Sequence, residues 1–214
     1  PEQLEAAITP KTKMLILCSP SNPTGSVYSE EELAGLAEVI KKHEGMYVLA
    51  DEIYEHISYI GKHASIAKIE GMKERSIIVN GVSKAYAMTG WRIGYIAAPE
   101  WIVKGCNKLQ GQYTSGPCSV SQKAAEAAYT LEQGCVEDMR KAFERRRDLI
   151  VELAKDIPGL EVNVPEGAFY LFPKCSSFFG KSNGEKTINS STDFALYLLE
   201  KAHVATVSGD AFGD

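Results

Sequence analysis

The sequence predicts an α/β fold, an open and mostly parallel sheet with flanking helices, and three observations carry that prediction. Apolar runs at Lys13–Cys18, Met46–Ala50 and Ser76–Val82 have the length and composition of buried strands. An amphipathic helical segment separates the first two, and strand, helix, strand in succession implies a right-handed parallel crossover. Each run ends in small or polar residues, at the edge where open α/β sheets bind their ligands.

Taken in order, Glu2–Ile8 reads as a short helix stopped by Thr9-Pro10, and Lys13–Cys18 as a strand buried on both faces. Two prolines force Ser19–Gly25 into a loop, because the residue before each is biased away from helix. Ser29 followed by Glu32 forms a capping box, and Leu33, Leu36, Ala37 and Ile40 make the apolar stripe of the helix it opens. Ile93–Ala98 reads as a further strand, Trp101–Gln112 and Ser119–Leu131 as helices. Gly134–Ile157 is a long helical run stopped by Pro158-Gly159. Its charges, Arg140 to Asp148, read as a solvated face stabilised by i,i+4 pairs. Short strands are expected at Glu161–Val164, Phe169–Phe172 and Val204–Val207, a polar loop at Ser176–Ser191 and a helix at Thr192–Ala202. A boundary near residue 134 then separates residues 1–134, part of a larger domain, from 135–214, a connecting helix and smaller α/β unit.

Composition excludes several classes. With 44% hydrophobic and 24% charged residues among 214, the chain has the balance of a soluble globular protein. A net charge of −5 argues against nucleic-acid and acidic-membrane surfaces. The five cysteines are scattered without a CxxC pair, so neither a disulfide framework nor a metal site is indicated, and a reducing, cytoplasmic setting fits. The four histidines lack ligand spacing and read as structural or surface groups. No run reaches the ~18 apolar residues of a membrane span.

The segment NGVSKAYAMTGWRIGYIA, Asn80–Ala97, places Lys84 directly after Ser83 and before Arg92, between two strands. Burial at a strand end favours a neutral amine able to attack a carbonyl. A hydroxyl at Ser83 and a guanidinium fork at Arg92 suit a phosphate. Amine and phosphate cradle together suggest a phosphorylated aldehyde cofactor, pyridoxal phosphate. Asn22 and Asp51, at the ends of the first two strands, should face the same crevice.

SPSNPTG (Ser19–Gly25), ADEIYEHI (Ala50–Ile57) and SKAYAMTGWRIGY (Ser83–Tyr95), in this order, resemble the class I aminotransferases of the pyridoxal-phosphate-dependent fold type I. GAFYLFP (Gly167–Pro173) and the closing SGDAFG extend the resemblance across the chain, which is similar above all to the bacterial and plant type of aspartate aminotransferase. The resemblance implies that Lys84 holds the cofactor as a Schiff base and shuttles the proton, and that Asp51 pairs with the pyridine nitrogen. It further implies that Tyr54 hydrogen-bonds the phenolic oxygen, that Asn22 contacts the same oxygen and the substrate carboxylate side, and that Ser83 and Arg92 bind phosphate. Catalysis would rest on Lys84, Asp51 and Tyr54.

The family pattern runs longer at both ends, so the chain reads as part of a longer enzyme, a homodimer acting on amino acids and 2-oxo acids. The family's ring-stacking aromatic and its arginine for the substrate α-carboxylate match no residue here, and the expected activity, amino transfer between L-aspartate and 2-oxoglutarate, belongs to the longer protein. Aromatic, alanine or kynurenine specificity, a carbon–sulfur β-lyase, and a non-catalytic binding domain stand as alternatives.

Overall fold

A computed structural model describes residues 1–213. Its sheet has the order β1 (Met14–Cys18), β2 (Tyr47–Asp51), β3 (Ser76–Gly81), β4 (Gly94–Ala97). The first three strands are parallel, with Cys18 beside Asp51 and Asp51 beside Val79. β4 runs antiparallel to β3, pairing Gly81 with Gly94. The connection between them holds only a 3-10 turn, Thr89–Trp91, and no crossover helix of the kind a parallel return needs. The C-terminal ends of β1–β3 and the N-terminal end of β4 therefore lie on one edge.

α1 (Glu2–Ala7) precedes β1, and α2 (Glu30–Lys41) connects β1 to β2. Both bonds of the α2 capping box are present, Glu32 N donating to Ser29 Oγ at 3.1 Å and Ser29 N to Glu32 Oε2 at 2.8 Å. The stripe Leu33, Leu36, Ala37, Ile40 is buried against Leu17, Met46, Val48, Ala50, Ile66 and Met72. Each large aliphatic group buried there contributes about 1.5–3 kcal/mol. The other face of β1 departs from the expected two-sided burial: Ile16 is 73% exposed, because nothing among the described residues covers that side chain.

α3 (Glu100–Tyr113), α4 (Ser119–Thr130) and α5 (Gly134–Lys155) follow, and residue 134 is the first of α5. α6 (Ser191–Tyr197) continues as a π-helical turn, Leu198–Ala202. The three short C-terminal strands do not form. Glu161–Val164 contributes a single bridge, Glu161 to Lys174, and neither Phe169–Phe172 nor Val204–Val207 pairs in a ladder. Apolar alternation signals burial without supplying a backbone partner: Phe169 and Tyr170 pack on Tyr54 instead, and Val207 is 71% exposed.

Along α5, Arg140 pairs with Glu137 and Glu144 as the spacing predicts. Arg147 corrects the solvated-face reading. Its side chain is only 15% exposed, its guanidinium lies 4.6 Å from the centre of the Tyr59 ring, and its Nη1 donates to the Pro165 carbonyl at 2.6 Å. Arg147 therefore ties α5 to residue 165. Among the described residues, no helix is long and apolar enough to cross a membrane.

Candidate active site

Three loops at the shared sheet edge build the site. The first, Ser19–Gly25, is folded on itself by Gly25 N donating to Ser21 O at 3.0 Å and by Tyr28 N donating to Ser19 Oγ at 3.1 Å. From outside, Glu166 N and Gly167 N both donate to Gly25 O at 2.9 Å. Gly25 has φ +70°, and a Cβ there would sit 2.5 Å from Pro165 Cβ. Glycine is required both for the left-handed backbone and for this close approach. Asn22 rides on this locked loop, exposed at the cavity wall.

The second loop follows β2. Asp51 Oδ1 accepts from Ile53 N at 3.2 Å, an Asx turn that fixes the carboxylate at the strand end. Tyr54 is 3% exposed, and its hydroxyl is hydrogen-bonded to that of Tyr170, with Phe169 and Tyr170 both edge-on to its ring. Burial pushes the Tyr54 hydroxyl well above its ordinary pKa, so it stays protonated. Glu55 Oε1 accepts from Asn80 Nδ2 at 2.7 Å, which ties this loop to the end of β3.

The third loop follows β3 and carries Ser83 and Lys84. Lys84 Nζ lies 5.7 Å from the centre of the Tyr54 ring. Ala87 and Arg92 have φ +52° and +53°, and Ala168 on the neighbouring segment has φ +57°. Left-handed backbone at non-glycine residues costs about 1–2 kcal/mol each and tends to cluster at functional sites. The Arg92 guanidinium donates through Nη1 to Thr89 O at 2.8 Å, which holds its stem while leaving the rest of the fork available.

One cavity of about 560 Å³ brings Asn22, Asp51, Tyr54, Ser83, Lys84 and Arg92 together, along with Cys18, Asn80 and Thr89. Cys18 lies beside Asp51 across the ladder, and burial raises its thiol pKa, which keeps it neutral. Sequence reasoning named the six but missed Tyr170, whose signal was limited to an aromatic run in GAFYLFP. Nearby, Glu52, Glu55 and His63 present ligand atoms within 4.8 Å of one another. His63 Nε2 lies 3.2 Å from Glu52 Oε2, and Asn80 Nδ2 donates to Glu55 Oε1.

The donor set can hold a small phosphorylated aldehyde. A primary amine, a carboxylate, a neutral phenol, and a hydroxyl with a guanidinium are the partner types that the aldehyde, ring nitrogen, phenolic oxygen and phosphate of pyridoxal phosphate would take. The volume falls in the range of small-molecule sites, ~300–1,000 Å³.

Comparison with known proteins places the chain among aminotransferases. The bifunctional aspartate aminotransferase and glutamate/aspartate-prephenate aminotransferase of Petunia hybrida is 50% identical across 100% of this chain, which covers 46% of that protein. The probable aspartate/prephenate aminotransferase of Rickettsia bellii is 51% identical over 99% of the chain and 54% of its own length. The crystal structure of the aspartate aminotransferase from Rhizobium meliloti superposes with a TM-score of 0.95 at 48% identity, covering 100% of this chain and 54% of that one. An aromatic aminotransferase from Pyrococcus horikoshii superposes at 0.91 with 40% identity, over 100% of this chain and 55% of that one. The chain thus spans about half the length of the relatives it matches. The family model for aminotransferases of class I and II matches residues 1–213, and the chain belongs to that family.

Proposed function

We propose that the full-length protein is a pyridoxal-phosphate-dependent aminotransferase that moves an amino group between L-aspartate and 2-oxoglutarate. The observation that carries this reading is the single cavity lined by Lys84, Asp51, Tyr54, Ser83, Arg92 and Asn22. The names of the Petunia hybrida and Rhizobium meliloti relatives support the substrate. When bound, pyridoxal phosphate supplies an aldehyde for amine exchange and a ring that takes up the electrons of the bond broken at the substrate α-carbon.

This chain's residues supply the rest. Lys84 would offer its Nζ as the nucleophile toward the aldehyde and as the base that carries the substrate α-proton. The Asp51 carboxylate, anchored by Ile53 N, holds a proton on the pyridine nitrogen. Ser83 and Arg92 would hold the phosphate, the serine through its hydroxyl and the arginine through its guanidinium. Tyr54, held protonated by burial, would donate to the phenolic oxygen, and Asn22 would contact the same oxygen. Residues 1–134 would form the cofactor-binding part and 135–214 the smaller domain, in a cytoplasmic homodimer. Five free cysteines support the reducing compartment, and exposed Leu109 and Tyr113 on α3 support a covered face. A second reading, prephenate as an alternative amino acceptor, is favoured by the names of the Petunia hybrida and Rickettsia bellii relatives.

The test is borohydride reduction of the cofactor-loaded full-length protein, followed by peptide mapping and by aspartate assays with 2-oxoglutarate and then prephenate. An adduct on Lys84 that disappears in Lys84→Ala, with turnover of aspartate, is expected. An adduct surviving on another lysine rejects the site, and no turnover of aspartate rejects the substrate.

A further inference from the structure

We propose that Tyr170 is a positioning residue for Tyr54: its hydroxyl donates to the Tyr54 hydroxyl and thereby sets how strongly, and in which direction, Tyr54 donates into the cofactor site. The inference rests on the reading that the cavity takes pyridoxal phosphate.

The two hydroxyls are hydrogen-bonded, and the rings meet edge to face at 5.7 Å. A phenol has one proton to give but can accept further bonds. If Tyr54 gives its proton to a cofactor oxygen, the hydrogen in the Tyr54–Tyr170 contact must come from Tyr170. Donors in series polarise one another, by roughly 10–30% per bond, so Tyr170 makes Tyr54 the stronger donor.

The segment that leads to Tyr170 is held at Pro165, Glu166 and Ala168. Arg147 holds the Pro165 carbonyl, and the Glu166 carboxylate accepts from Val27 N at 3.3 Å. Ala168 N donates to Ile57 O at 2.8 Å, and the Tyr59 hydroxyl donates to Ala168 O. Residues 165–170 thus touch α5, the Asn22 loop and the Asp51–Tyr59 stretch before ending on Tyr54. The charged and titratable groups facing Tyr54 are Cys18 from β1, Asp51 from β2, Lys84 from the loop after β3, and Tyr170 itself. Tyr170→Phe removes one hydroxyl and leaves the other three in place.

The test is a spectrophotometric pH titration of the visible cofactor band in the loaded full-length protein, using the parent, Tyr170→Phe, Tyr54→Phe and the double variant. A weaker donor at the phenolic oxygen leaves more electron density to retain the neighbouring proton. Tyr170→Phe is therefore expected to raise the midpoint by about 0.3–1 unit. In the Tyr54→Phe background the same change should shift nothing. Tyr170→His, which keeps a ring donor, should shift less than Tyr170→Phe. An unmoved midpoint, or an equal shift with and without the Tyr54 hydroxyl, overturns the role of Tyr170 while leaving the cofactor reading intact. A parent that shows no band overturns the cofactor reading and this inference together.

Discussion

Alanine at Gly25 should cost far more than alanine at Gly45, although both glycines have left-handed backbone. At Gly45, φ is +75° and an added Cβ meets nothing within 4 Å. Gly45→Ala therefore carries only the conformational cost, about 1–2 kcal/mol. At Gly25, φ is +70°, and the Cβ would lie 2.5 Å from Pro165 Cβ and 2.9 Å from Gly167 O. Relieving that overlap adds roughly 1–3 kcal/mol. It also pulls Gly25 O from the two amides it accepts, each worth about 1 kcal/mol. Gly25→Ala should thus destabilise the full-length protein by about 4–7 kcal/mol, and weaken pyridoxal phosphate binding as well, because Asn22 lies on the displaced loop. Urea unfolding of both variants, with cofactor titration by absorbance, measures each effect. Equal urea midpoints for the two variants would refute the argument that residues 165–167 lock the Asn22 loop.

Three further outcomes are expected. Asp51→Ala should slow the chemical step of aspartate transamination by roughly 10²–10³-fold, about 3–4 kcal/mol, with cofactor still bound; an unchanged single-turnover rate would remove Asp51 from the mechanism. Arg147→Ala loses a charged hydrogen bond and a cation–π contact, together about 2–4 kcal/mol in urea unfolding, and a loss below about 1 kcal/mol would return Arg147 to the class of surface charges. Burial pushes the Tyr59 hydroxyl up to about 12, above the ~10 of a free tyrosine. The folded state therefore holds this proton more tightly, so the contribution is intact below pH ~10 and is lost as the pH rises through about 12. The urea midpoint of the parent should fall more steeply than that of Tyr59→Phe across that window, and parallel curves would exclude Tyr59 as the cause.

The parts of the fold that were legible in the sequence are those encoded within a dozen residues. Ser29 with Glu32 and the Leu33–Ile40 stripe specify α2 locally, through capping and periodicity. Strand ends punctuated by Asn22, Asp51 and Ser83-Lys84 announce one shared edge because parallel strands deliver their C-termini to the same side. What stayed illegible depends on partners far along the chain. Arg147 has the pattern of a surface charge and becomes a tie only because the Pro165 carbonyl and the Tyr59 ring arrive beside it. Phe169–Phe172 has strand composition, but its aromatic rings find Tyr54 and Phe143, and no described strand offers a ladder. Tyr170 meets Tyr54 across 116 positions of sequence, beyond anything periodicity encodes.

The reversed direction of β4 sets the order in which the site can be assembled. Lys84 and Arg92 belong to one turn between adjacent antiparallel strands, so closing a short loop is enough to bring amine and guanidinium to the same side. Asp51 reaches them only when β2 docks on β3, and Asn22 only after the longer β1–α2–β2 crossover has closed. Contacts of greater sequence separation are made later and more slowly. In refolding, the turn that carries Ser83, Lys84 and Arg92 is therefore expected to close before Asp51 and Asn22 arrive beside it.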